Sequence, residues 1–144
     1  MNPLATIGYE TDTQAGMIGR LKAAQVELVV DVRAVASSRK AGFSKTLLGN
    51  SLLAEGIGYL HLQPLGTPKA GRDAARAGRV GEMHEIFLAH LEEPKAQVAL
   101  AQATQLAGEK RIALLCYEDD PACCHRRLVA DRIRASLKCE VVDL

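Results

Sequence analysis

"VELVVDVR", residues 26–33, decides the fold class. From Val26 to Val32 it is β-branched and almost wholly apolar, without the polar–apolar alternation of a strand that is wet on one face. A strand of this kind is covered on both faces, as in the middle of a parallel sheet. Asp31 and Arg33 stand at its exit, two residues apart, and so project from the same face.

Working outward, Ala5 to Tyr9 reads as a strand, and Thr11 with Gln14 has capping-box spacing ahead of Met17, Ile18, Leu21 and Ala24. Beyond the loop VASSRKAGF, Ser44 is placed to cap a helix carrying Leu47, Leu48 and Leu52, with Gly56 to end it. Ile57 to Leu62 makes a third strand. Pro64 to Gly81 shows no clear period and reads as a long loop. Met83, Ile86, Phe87, His90 and Leu91 mark another helix. Pro94 suits the first turn of the next, which Gly108 stops. Arg111 to Tyr117 is a fourth strand, Asp120-Pro121 starts a last helix, and Glu140 to Leu144 is a terminal strand. Strands alternating with helices need crossover connections, so residues 1–144 are expected to form a single doubly wound α/β domain. Its sheet is mainly parallel, with about five strands flanked by helices.

The totals agree with one domain: 144 residues, 48% apolar, only 3% aromatic and no Trp, hence a core of Leu, Val, Ile and Ala. A formal charge of +1 supplies no overall field toward nucleic acid or an anionic membrane. Positive charge is local, in Arg33, Arg39, Lys40 and Lys45 and again in Lys69, Arg72, Arg76 and Arg79. No apolar run approaches the ~20 residues of a membrane span, so no membrane partner is expected. The N-terminus lacks a secretion signal, which points to a cytoplasmic protein with reduced thiols.

In doubly wound sheets ligands bind beyond the carboxyl ends of the strands. Tyr9, Asp31, Arg33, His61, Cys116 and Glu118 fall at such ends. The stretch "LLCYEDDPACCHRR", residues 114–127, adds Cys123, Cys124, His125 and Arg126. With the last helix starting at Asp120-Pro121, Cys123 and Cys124 would lie in its first turn, where the positive end of the helix dipole favours thiolate. Buried packing is the plain alternative for Cys116 and Cys124, and the expected state of Cys139. A metal centre would draw on Cys116 with Cys124 and His125, or with Cys123 and Cys124. There is no second cysteine cluster, however, and neighbours on a helix point about 100° apart, so no metal and no cofactor are expected. Arg33, Ser38, Arg39 and Arg126 are the groups suited to an anionic ligand.

ThrIleGlyTyr at 6–9, AspValArg at 31–33, SerArg at 38–39, Phe43-Ser44, GlyIleGlyTyr at 56–59, His61-Leu62, Leu65-Gly66, LeuLeuCysTyrGlu at 114–118 and CysHisArg at 124–126 together resemble the proteins grouped as domain of unknown function 488. The likeness covers nearly the whole chain. It implies an α/β fold and places Asp31, Arg33, Ser38, Arg39, Cys116, Glu118, Cys124, His125 and Arg126 in the family's signature segments. The chain departs from the pattern at Ala36, where a proline is usual, and at Thr67, where a second glycine is common.

Two classes of function remain open from the sequence. One is an enzyme acting on an anionic small molecule, nucleotide or nucleic-acid end, held by Arg33, Arg39 and Arg126 with Tyr9 and His61 at the same edge. It is a cysteine-dependent transferase or hydrolase in which Cys124 or Cys116 is the nucleophile, His125 the proton carrier, and Glu118 or Asp31 the orienting carboxylate. The other is a non-catalytic module that binds nucleic acid or protein through the basic loops, with a metal-bound domain behind both.

Overall fold

The buried stretch at residues 26–33 lies inside a sheet of five parallel strands in the order β3-β2-β4-β1-β5. The computed structural model describes all 144 residues. In chain order the elements are β1 (Leu4–Gly8), α1 (Gln14–Ala23), β2 (Leu28–Asp31), α2 (Lys45–Ala54), β3 (Gly58–His61), α3 (Lys69–Arg76), α4 (Val80–Leu91), α5 (Pro94–Glu109), β4 (Ile112–Cys116), α6 (Arg126–Leu137) and β5 (Val141–Asp143). Short 3₁₀ turns occupy Gln63–Leu65 and Pro121–Cys123. None of the helices is long and apolar enough to cross a membrane.

The period of two in a strand explains why β2 carries no polar face. Leu28 and Val30 point into one core with Leu114, Phe87, Ala103 and Val129, while Val29 points into the other with Ile7, Met17, Leu21 and Leu48. The chain leaving β1 and β2 steps toward one edge of the sheet, and the chain leaving β3 and β4 steps back. Right-handed crossovers then put α1 and α2 on one face and α3 to α6 on the other, as the two cores require.

The structure differs from the sequence reading at five places, the first being Ser44, which stands at the start of α2 but bonds the Ser38 backbone through its hydroxyl instead of capping the helix. Residues 64–81 are not a long loop: α3 and the start of α4 lie there. The apolar stripe of α3 consists of Gly71 and Ala74, too small to register as a period, and exposed Lys69–Asp73 and Arg76–Asp73 pairs sit on its outer face. The cap of α1 is Thr13, whose hydroxyl accepts from the Gly16 N–H at 3.0 Å. Thr11 instead bonds Asp119. Helix α5 runs through Gly108 to Glu109. The last helix begins at Arg126 rather than at Asp120-Pro121. Asp120 does accept from the Ala122 N–H at 2.9 Å as expected, but the turn it caps is 3₁₀ and ends at Cys124, whose backbone is extended.

Candidate functional site

Strand β4 is flanked by β2 and β1, which both lead into helices on one face, whereas β4 leads toward the other. Adjacent chains that part in opposite directions leave a crevice beyond the strand ends. A cleft of about 430 Å³ lies there. It is lined by Tyr9 after β1, Arg33 to Val35 and Ser37 to Arg39 after β2, Cys116 to Glu118 after β4, Cys123 to His125, and Thr67, Arg72, Arg76 and Met83 from the α3–α4 side.

Close backbone approaches hold these loops in place. A Cβ on Gly8 would lie 2.0 Å from the Glu118 carbonyl oxygen, and one on Gly66 would lie 2.2 Å from the Ala34 Cα, so neither position has room for a side chain. Arg126 is wholly buried and donates to the Glu118 and Asp119 carbonyls. Thr11 grips the Asp119 carboxylate from the β1 side.

At the floor, Cys116 ends β4 with 5% of its surface exposed, and Cys124 and His125 follow at 1% and 6%. The His125 Nε2 lies 2.7 Å from the Val32 carbonyl. A carbonyl only accepts, so Nε2 carries a proton, and Nδ1 is bare whenever the ring is neutral. That lone pair faces two sulfurs, Cys116 at 3.7 Å and Cys124 at 3.8 Å. Phe87 packs on the ring at 5.0 Å between centroids. Glu118 Oε2 lies 3.2 Å from the Cys116 sulfur. The group that orients the imidazole is therefore the Val32 carbonyl, in place of the expected Asp31 or Glu118.

Burial pushes the Cys124 thiol well above its ordinary value, and neighbouring Cys116 adds to the effect. The helix-dipole argument for a reactive thiolate fails for a geometric reason: Cys123 and Cys124 precede α6 rather than forming its first turn. Exposed Cys123 is raised as well, through desolvation and the Asp120 carboxylate. For His125 burial works against the cation, while Cys124, the Val32 carbonyl and Glu118 favour it, and the balance lies above the usual imidazole value.

Asp31 and Arg33 form a second buried unit, of which only Arg33 reaches the wall of the cleft. Asp31 is completely buried, and its oxygens take Arg33 Nε at 2.9 Å and Nη2 at 2.7 Å, together with the Tyr59 hydroxyl. Arg33 Nη1 donates to the Tyr9 hydroxyl at 2.9 Å and the Phe43 carbonyl at 2.7 Å. Burial raises the Tyr9 hydroxyl, against the pull of Arg33. A guanidinium with its donors spent this way braces the loop after β2 instead of gripping a ligand. His61 does the same from β3, its Nε2 lying 2.7 Å from the Arg33 carbonyl.

Of the residues expected at the site, Tyr9, Arg33, Ser38, Arg39, Cys116, Glu118, Cys124 and His125 share the cleft, whereas Asp31, His61 and Arg126 stand behind it. The expectation that Arg126 binds ligand is corrected by its full burial against two carbonyls. Thr67, Arg72, Arg76 and Tyr117 were not expected to line the site. The four-residue spacing of Arg72 and Arg76 was the available signal, since it puts both on one face of a helix.

A doubly wound α/β protein with two thiols and an imidazole gathered at the carboxyl edge of its sheet is the class that fold and site define. The profile of the family described as Domain of unknown function DUF488 matches residues 14–133, most of the chain and every site residue above except Tyr9. The chain belongs to that family. No curated protein and no solved structure matches it.

Proposed function

We propose that the cleft binds an anionic small molecule of the nucleotide class and holds it against Cys116, Cys124 and His125, where a transfer or hydrolysis takes place. The observation that carries this reading is the lining of the cleft, in which four side chains are arginines and Glu118 is the one acid. Arg33 is neutralised by Asp31, which leaves Arg39, Arg72 and Arg76 for the ligand. Arg39 is exposed on the loop after β2. Arg72 spends one nitrogen on the Thr67 carbonyl at 2.8 Å, and Arg76 leans on Asp73 at 3.2 Å. Guanidinium forks suit phosphate and carboxylate oxygens. The acids Asp119 and Asp120, which would repel an anion, do not line the cleft and bond Thr11 and the Ala122 N–H instead.

Tyr117 is 44% exposed at the cleft and meets Tyr9 edge-on, so its free face suits a planar ring. The cleft has the size of a small-molecule site, and its concavity favours a compact ligand over a duplex laid across the surface. Thermal shift followed by calorimetry, with inorganic phosphate, mononucleotides, sugar phosphates and dicarboxylates, tests the reading. Saturable binding is expected, weakened at least about tenfold by Arg39→Ala, since a charge-assisted hydrogen bond contributes roughly 1.5–3 kcal/mol. A panel without a hit, or a hit indifferent to both Arg39→Ala and Arg72→Ala, would overturn it.

A further inference from the structure

We propose that Cys116 Sγ, Cys124 Sγ and His125 Nδ1 are three ligands of a tetrahedral, thiophilic divalent cation, zinc by preference, with the fourth position open to the cleft. The inference stands on this cluster and not on the arginines at the mouth, so it and the anion reading can fail separately.

The geometry is the first support. The three donor atoms lie within 4.8 Å of one another, with the nitrogen 3.7 and 3.8 Å from the two sulfurs. Zinc–sulfur bonds of about 2.3 Å and zinc–nitrogen bonds of about 2.0–2.1 Å give tetrahedral edges of about 3.6–3.8 Å, so the two nitrogen–sulfur edges already have that length and the sulfur–sulfur edge, within 4.8 Å, has only to close on the ion. The objection that residues adjacent on a helix diverge does not apply, because Cys124 is extended at φ −126°, ψ 143° while His125 turns into the helical region. That change of backbone is what lets neighbours converge.

The surroundings of the donors are the second support. His125 gives its Nε2 proton to the Val32 carbonyl, which fixes the tautomer and aims Nδ1, the arrangement that orients metal-bound histidines. The Arg126 N–H points at the Cys124 sulfur from 3.5 Å and favours its thiolate. Charge is the third support. Two thiols and the Glu118 carboxylate crowd together; Arg33 is neutralised by Asp31, and the buried Arg126, which has only carbonyl partners, offsets Glu118, so two thiolates here lack a balancing charge. A dication balances two thiolates here. Soft sulfur with imidazole selects zinc over magnesium or calcium.

Buried packing of the cysteines is the competing account, yet packing does not require an imidazole lone pair aimed at both sulfurs. On binding, the Cys116 and Cys124 thiol protons pass to solvent, His125 contributes its Nδ1 lone pair, and the proton on Nε2 stays there, hydrogen-bonded to the Val32 carbonyl. A water, or an oxygen of the bound anion, takes the fourth position. Three protein ligands with one open site is the pattern of catalytic zinc.

The test is titration of chelator-treated, folded protein with Co²⁺ and then Zn²⁺. We expect one equivalent of cobalt to give a thiolate-to-metal charge-transfer band and the intense visible bands of four-coordinate cobalt, both erased by equimolar zinc. Cys124→Ser and His125→Ala should each weaken zinc binding by more than ~100-fold, since loss of supporting groups alone costs 10–100-fold. Cys123→Ser should leave the spectrum unchanged. If the ligand variants fail to fold, zinc-dependent release of the Cys116 and Cys124 thiol protons from the unaltered protein, measured in weakly buffered solution, gives the same reading. A weak six-coordinate spectrum at saturating cobalt, zinc binding without release of thiol protons, or a spectrum lost with Cys123→Ser and kept with Cys124→Ser would overturn the proposal. Phosphate and nucleotide binding, measured on the metal-free protein in parallel, reports on the anion reading independently.

Discussion

Replacing Arg33 by Met should be among the most damaging single substitutions at this edge of the sheet. Asp31 is completely buried and loses a two-point ion pair, while the Tyr9 hydroxyl and the Phe43 carbonyl lose their donor. Asp31 would keep the Arg33 backbone N–H at 3.0 Å and the Tyr59 hydroxyl. Removing one partner of a buried pair costs about 3–5 kcal/mol, a large share of a typical total of about 5–15 kcal/mol. In a domain of this size that lowers Tm by roughly 10–20 °C. Urea unfolding followed by far-ultraviolet circular dichroism, with an unchanged m-value, measures it. In the double variant Asp31→Asn/Arg33→Met no charge is stranded, and the coupling energy should be at least about 2 kcal/mol. An Arg33→Met cost below about 1 kcal/mol, or a double variant equal to the sum of the singles, would refute the reasoning. Breaking the exposed Lys22–Glu55 pair serves as the control and should change nothing measurable.

Gly8→Ala should destabilise by about 1–3 kcal/mol, because its Cβ overlaps the Glu118 carbonyl and the loop after β4 must move; denaturation together with loss of ligand response checks both effects. Alkaline pH should destabilise the protein through Tyr59. Burial and the Asp31 hydrogen bond raise its folded-state value above the ordinary 10.0, so the unfolded chain releases the proton first and stability falls from about pH 10 upward. Tyr59→Phe should flatten that limb in stability measurements from pH 9 to 11 relative to wild type. A thiol reagent should find Cys123 quickly in folded, metal-free protein and Cys116, Cys124 and Cys139 only after unfolding; rapid labelling of Cys124 would contradict its burial.

The fold was legible where side chains are large enough to print a period. Val29 and Val30 on opposite faces of β2 reveal a strand covered on both sides, and the alternation of strands and helices implies the parallel sheet. Helix α3 escaped notice because its inward residues are Gly71 and Ala74. The start of α6 was misplaced because Asp120-Pro121 begins a 3₁₀ turn with the same local chemistry as a helix start, and only tertiary packing shows that the turn ends at Cys124. The site was legible as a sheet edge, since residues at strand ends must meet there. The roles within it were not. Whether an arginine is free depends on partners distant in the chain, such as Phe43 and Tyr9 for Arg33 or the Glu118 carbonyl for Arg126. The anchor of His125 is a backbone carbonyl 93 residues away.

The central claim is that the ends of β1, β2 and β4 open on one cleft where an anion binds. Backbone amide NMR of the isotopically labelled protein, titrated with inorganic phosphate and with a mononucleotide, tests it most directly. The account predicts saturable shifts confined to residues 34–39, 67–76 and 117–125, converging on Arg39, Arg72, Tyr117 and His125. Shifts centred on the α1–α2 groove around Ile18 and Ser51, or none at saturating nucleotide, would contradict it.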